Sequence, residues 1–218
     1  MTLLNILYIT LLLDYLRMSM KPFYVLFILI AFWSTAVSSQ NVKKENKAYR
    51  KKLNKAFKDP TESPLTKEDF KLFKKLVFFP FDEAYKVPAT LVVNTLPQFF
   101  KMPTTTSRMP IYSTYGRLVF TISGVEYSLQ VYQNQDLKNK SGYEDYLFVP
   151  FTDITNGEDT YEGGRYLDFR IPKTEEVIID FNKAYNPYCA YSDRYSCPKV
   201  PIINNLPIRI TAGVKKWR

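Results

Sequence analysis

Hydrophobic and polar positions change their period twice along this chain. Residues 22–33 (PFYVLFILIAFW) form an unbroken apolar run. From 41 to 58 (NVKKENKAYRKKLNKAFK) the apolar positions Val42, Tyr49, Leu53 and Phe57 recur at intervals of seven and four, which marks an amphipathic helix. A second, short helix is expected after Thr66, whose hydroxyl can cap a first turn closed by Asp69, ahead of Phe70, Leu72, Phe73 and Leu76. Beyond Pro80 the period falls to two. ATLVVN (89–94), RLVFTIS (117–123), EYSLQVYQ (126–133), YLFVPF (146–151), RYLDFRI (165–171) and EVIIDF (176–181) are rich in β-branched and aromatic residues, and PIRIT (207–211) reads as a final strand. Gly124 between two of these predicts a tight hairpin turn. The pattern therefore predicts a mainly β, α+β chain: an antiparallel β barrel or sandwich-like domain over 80–218, one or two N-terminal helices within 40–79, and a separate segment over 1–39.

That first segment has the layout of a signal peptide. Lys21 follows Met20, the apolar core comes next, and Ala36-Val37-Ser38-Ser39 supplies small residues for cleavage. The run is short for a membrane span and is followed by strongly polar sequence. A native start at Met20 accounts for the additional stretch upstream, which Asp14 and Arg17 interrupt. The expected location is periplasmic or extracellular, the alternative being a chain anchored by an uncleaved N-terminal segment.

Charge sharpens the list of partners. The formal net charge is +9, yet the stretch 41–58 holds eight Lys/Arg against Glu45 alone, and 59–218 is nearly neutral. A basic helix face is ordinarily a solvated one; its functional alternative is weak contact with an anionic envelope surface. Nucleic acid is not expected as a partner, because the basic stretch carries only two aromatics, both in its apolar stripe.

The catalytic inventory is mostly exclusion. There is no histidine, so Ser-His-Asp and Cys-His nucleophile systems and the usual zinc ligand sets are absent. Neither a G-x-G-x-x-G fingerprint nor a P-loop occurs among the seven glycines, and no cofactor or metal is expected. DITNGED (153–159) has the wrong spacing for a calcium loop and reads as a surface turn in which Asn156-Gly157 supplies positive φ. Strand alternation puts Arg165, Leu167 and Phe169 on one face and Tyr166, Asp168 and Arg170 on the other. Were the strands carrying Asp168 and Asp180 to pair, the two carboxylates could divide acid and base roles; otherwise Asp180 and Asn182 cap turns and Asp168 pairs with an arginine. Cys189 and Cys197 are the only cysteines and are expected to form a disulfide if the chain is exported. Closing so short a loop is worth about 2–3 kcal/mol in the chain-entropy model.

The stretches MPTTTSRMPIYSTYGRLVFTISGVEYSLQVYQ (102–133), LFVPFTDITNGEDTYEGGRYLDFRIP (147–172) and DFNKAYNPYCAYSDRYSCPKVPIINNLPIRITAG (180–213) resemble DUF1684, a family of bacterial and archaeal proteins without an established activity. The resemblance implies no catalytic residue. Two positions depart from its pattern: Glu162 stands where another glycine is expected, and Val214 where an acid is usual. The tyrosine-rich 181–198 reads as a crossing loop fixed by Pro187, Pro198 and the cysteines, and with the GGRYLD strand it is expected to wall one concave site. Arg165, Tyr166, Asp168, Asp180, Asn182, Tyr185 and Asn186 are the candidate ligand contacts. The functional expectation is an exported protein that binds a small polar or sugar-like ligand; a carboxylate-based hydrolase and a ligand-free structural envelope protein are the alternatives.

Overall fold

The computed structural model describes residues 40–217, so the expected leader over 1–39 lies outside the described residues. The chain divides into two units at Glu45 and Asn46, and the β-rich fold is built by the second.

Helix α1 runs over 40–58. Within the second unit its stripe buries Asn46 and Phe57 and half-buries Tyr49 and Leu53, while Lys47, Lys51, Lys52, Lys55 and Lys58 face solvent. Helix α2 (Lys67–Leu72) starts where the Thr66 hydroxyl accepts the Asp69 amide at 3.1 Å. Phe57 packs edge-on against Tyr191, with ring centroids 4.8 Å apart, and at 5.7 Å from Phe73. With Leu65, Leu76 and Val214 these residues make a small apolar cluster of their own. Among the described residues no helix is long and apolar enough to cross a membrane.

Eight strands follow: β1 Lys86–Val93, β2 Phe99–Lys101, β3 Ile111–Ile122, β4 Val125–Asn134, β5 Tyr146–Asp153, β6 Arg165–Arg170, β7 Glu176–Asp180 and β8 Asn205–Leu206, with one turn of helix, α3 (Gln135–Lys138), after β4. They form a curled half-barrel in the order β6-β5-β4-β3-β1-β7, antiparallel along that path; β2 flanks β3, and β8 adds to β5 in parallel. The β3–β4 hairpin turns on Ser123 (φ 52°) and Gly124 (φ 79°). Two consecutive positive φ angles match the right-handed twist of the strands they join.

Period-two rows fill the interior: Leu118 and Phe120 from β3, Leu129 and Val131 from β4, Leu147, Val149 and Phe151 from β5, Leu167 from β6 and Ile179 from β7. A bulge between Thr114 and Gly116 then changes the parity of β3. Tyr112, even-numbered like Leu118, consequently faces the other side of the sheet and joins Tyr132, Phe148 and Tyr166 in an aromatic layer. Glycine is required at 116, since a Cβ there would stand 2.6 Å from the Val92 carbonyl oxygen.

One expected strand needs correction, and a pairing left open is decided. PIRIT is not a strand: the Ile210 and Ala212 carbonyls accept the Arg165 guanidinium, and the Ile210 amide donates to Asp153 at 2.7 Å, so side chains occupy the groups a ladder would use. Nor do β6 and β7 pair, because they end opposite edges of the sheet path. The chain leaving β7 instead crosses to β6, where Tyr185 and Tyr166 exchange backbone hydrogen bonds of 2.9 and 3.1 Å.

Candidate functional site

Strand β6 presents its two faces to different surroundings, as its alternation predicts. Arg165 and Leu167 point into the core, while Tyr166 joins the aromatic layer and Asp168 and Arg170 are exposed.

Arg165 was expected at a ligand, but it is fully buried in an ion pair with Asp153 at 3.0 Å. Asp153 also accepts the Thr155 hydroxyl, and the Thr155 and Thr160 hydroxyls are hydrogen-bonded at 2.8 Å. The DITNGED segment does turn on Gly157 at φ 84°, yet it is more than a surface turn: Asp153, Thr155 and Thr160 are its buried anchor. A buried guanidinium needs a charged partner because desolvation of an isolated charge is severe. Burial draws the Arg165 pKa down and Asp153 opposes that shift.

Asn182 and Asn186 are also structural. Asn182 accepts the Asp82 amide at 3.1 Å and donates to the Asp82 carbonyl at 2.8 Å, pinning β7 to the chain before β1. Asn186 donates to the Lys215 carbonyl at 2.9 Å. Asp180 accepts the Asn182 amide at 3.1 Å and lies 3.7 Å from Lys183, so it caps the turn after β7, and the acid pair that a β6–β7 ladder would have made with Asp168 does not form. Tyr166 is buried edge-on against Phe148 at 4.7 Å, and its hydroxyl donates to the Pro198 carbonyl.

Asp168 is different. Its Oδ1 accepts the Tyr146 hydroxyl at 2.7 Å and the Tyr185 hydroxyl at 2.6 Å, whereas no described residue donates to Oδ2. Tyr185 comes from the crossing loop. Tyr146 comes from β5, where Phe148 is the direct partner of Asp168 and Tyr146 that of Arg170. Burial, reinforced by the Asp168 charge, pushes both phenols above their ordinary pKa, so they stay protonated and donate. Around this carboxylate, Tyr143 stands edge-on to Tyr146 at 5.9 Å, and Arg170 lies over both rings while pairing with Asp145 at 2.6 Å. Tyr188, within electrostatic reach of Asp168, is also well exposed. Tyr146 was missed as a site residue, although pairing YLFVPF with RYLDFR would have found it.

The crossing loop and the GGRYLD strand do wall one cavity, of about 310 Å³, but through Gly163, Tyr166, Pro187, Cys189 and Pro198 rather than through Asp168. Cys189 and Cys197 carry no disulfide in this structure; they are neighbours, and the Cys197 sulfur accepts the Cys189 amide at 3.2 Å. Among the described residues no group of three or more His, Cys, Asp or Glu side chains is placed to hold a metal ion.

The fold and this surface define a class: a β half-barrel with N-terminal helices, carrying an exposed carboxylate clamped by tyrosines. The chain belongs to the DUF1684 family, proteins of unknown function, whose family model matches residues 71–215. It is also similar to the solution NMR structure of an uncharacterized protein of Haloarcula marismortui, at 32% identity and a TM-score of 0.64, over 82% of this chain and 96% of that one. No curated protein matches it.

Proposed function

We infer that the protein binds a small polar, hydroxyl- or amine-bearing ligand at Asp168. The observation that carries this reading is the division of labour within one carboxylate: two tyrosines fix Oδ1, and Oδ2 remains open on an exposed edge. A charged acceptor held by two half-buried donors is preorganised, and so loses little entropy when it accepts a hydrogen bond from a ligand. Tyr143 and Tyr188 offer apolar faces with polar tips on which a sugar ring can lie. A hydrolase acting through two carboxylates has less support, since Asp180 is already engaged by Asn182 and Lys183.

Export through the 1–39 leader, with the basic face of α1 resting weakly on an anionic envelope surface, is the setting this reading adopts. Intact-mass measurement of protein recovered from its own host, with a mature N-terminus expected between Ser38 and Asn41, checks it.

Titration calorimetry against free hexoses, amino sugars and polyols tests the binding. One of them should bind, and Asp168→Asn should weaken it by about tenfold or more, the worth of a hydrogen bond to a charged group, with the melting temperature kept. Equal affinity in Asp168→Asn, or no binding across the panel, would rule the reading out.

A further inference from the structure

Cys189 and Cys197 are not used by the site at Asp168, and their surroundings are unlike those of two inert thiols. Cys189 is the middle residue of the short turn Tyr188–Ala190 after Pro187 and lines two cavities, one of about 310 Å³ toward Tyr166 and Val200, the other of about 360 Å³ toward Tyr191 and Trp217. Tyr161 lines both cavities as well, and its hydroxyl lies 3.8 Å from the Cys189 sulfur. Cys197 sits behind, buried, its amide donating to the Thr105 hydroxyl at 3.1 Å and its carbonyl accepting the Thr105 amide at 2.9 Å. One sulfur is therefore reachable from solvent-connected space, and the second is held against it from the protein side.

We propose that Cys189 and Cys197 form a reversible dithiol–disulfide centre, with Cys189 the attacking thiol and Cys197 the resolving one, and with a disulfide-bearing molecule as substrate. The Cys189 thiolate attacks one sulfur of R–S–S–R′. That bond breaks, a mixed disulfide Cys189–S–S–R forms, and R′–S⁻ leaves and takes up a proton. Cys197 then gives its proton to solvent and attacks the Cys189 sulfur, closing the Cys189–Cys197 bond and expelling R–S⁻, which is protonated in turn. The protein loses two electrons and two protons, and the substrate gains both as two thiols.

The asymmetry of the pair supports these roles. A hydrogen bond from Cys197 is the main influence holding Cys189 down, to about 7, with Tyr161 and Thr105 adding to it against the effect of burial. The same bond, with burial, pushes Cys197 up. A thiol titrating near neutrality is the better attacking group, and a buried neighbour with a raised pKa attacks only once the mixed disulfide has formed beside it. Charged groups around the cavities are Glu162, which lines both, Asp69, Asp193 and Lys216 in the larger, and Lys199 in the smaller. They are mixed in sign, so neither cavity demands a strongly charged substrate. This centre is independent of ligand binding at Asp168, and either can fail alone.

The test uses the full chain, reduced and freed of reductant, mixed with oxidised glutathione or an aromatic disulfide reagent and followed by thiol release and intact mass. Two thiols should be released per chain and the product should weigh about 2 Da less than the dithiol, as loss of two hydrogens requires. The rate should rise about tenfold per pH unit toward about pH 7 and then level, following the thiolate fraction. Cys197→Ser should release one thiol and stop as a mixed disulfide on Cys189, and excess reduced glutathione should reopen the wild-type bridge. The proposal is overturned if the native wild-type chain releases no thiol, if Cys189→Ser reacts as fast as wild type, or if reduced glutathione leaves the bridge closed, which would make it a static cross-link.

Discussion

Arg165 and Asp168 stand three residues apart on one strand, and their fates are opposite. Arg165 has no exposed atom surface to speak of and spends its donors on Asp153, Thr155 and two backbone carbonyls. Asp168 is exposed and holds one oxygen in reserve. The odd-numbered face of β6 closes the barrel and the even-numbered face meets the aromatic layer, so a strand of six residues serves the core with one charge and the surface with the other. A buried charge needs a counter-ion and several further hydrogen bonds, because an unpaired one is too costly; a carboxylate at the edge can stay partly unsatisfied because water completes its shell. Charge on a strand therefore points to function only when burial is known.

The largest effect should come from breaking the inner pair. Asp153→Ala leaves a buried guanidinium without its anion and the Ile210 amide without its acceptor, and should cost about 3–5 kcal/mol of unfolding free energy in denaturant titration. A double variant, Asp153→Leu with Arg165→Met, should recover part of that loss. If Asp153→Ala alone is near neutral, the inner pair is not what holds the closing segment, and the contrast with Asp168 collapses.

Gly164→Ala tests the turn that delivers β6 to its register. Gly164 has φ 92°, and a Cβ there would stand 2.7 Å from the Phe151 carbonyl oxygen and 2.6 Å from a Val200 methyl. A loss of about 1–3 kcal/mol is expected from the strained backbone and the clash together, read by thermal melting.

Alkaline pH separates the two faces chemically. Tyr146, Tyr166 and Tyr185 have folded-state pKa values raised by burial. Stability from holding them neutral is full below the unfolded tyrosine value of about 10 and is lost as pH climbs above it. Tyrosinate absorbance should therefore lag a model-peptide titration and then appear together with unfolding. Simple titration with the fold intact would show that these hydroxyls are not held as described.

The smallest stability change belongs to the outer face. Tyr185→Phe removes one of two donors to Asp168 and should lower stability by about 1 kcal/mol, and Asp168→Asn should change it by no more than that. Both should still weaken ligand binding. Binding losses that merely track melting temperature would make the tyrosine clamp a packing feature.

Much of this architecture could be read along the chain. The helical stripe ending at Phe57, the Thr66 cap, six strands and the Gly124 turn are local consequences of period, capping and backbone freedom. The alternation of β6 was legible too, and so was the pairing of the crossing loop with GGRYLD as walls of one cavity. Which residues face that cavity was not. Arg165, Asn182 and Asn186 have the composition of ligand contacts, and the fold uses all three as internal fasteners.

The sequence by itself determined the family, the β-rich class and the alternation of β6, since these depend on interactions between near neighbours and on the two-residue pleat. Tertiary structure decided the rest. The order of the sheet put Asp168 and Asp180 at opposite edges; the bulge before Gly116 moved Tyr112 across the sheet; and Asp153, twelve residues before Arg165 and fifty-seven before Ile210, became their common partner. Partners so far apart in the chain meet only after it has folded, and burial, which decides whether a polar group fastens or binds, is a property of the whole assembly rather than of any segment.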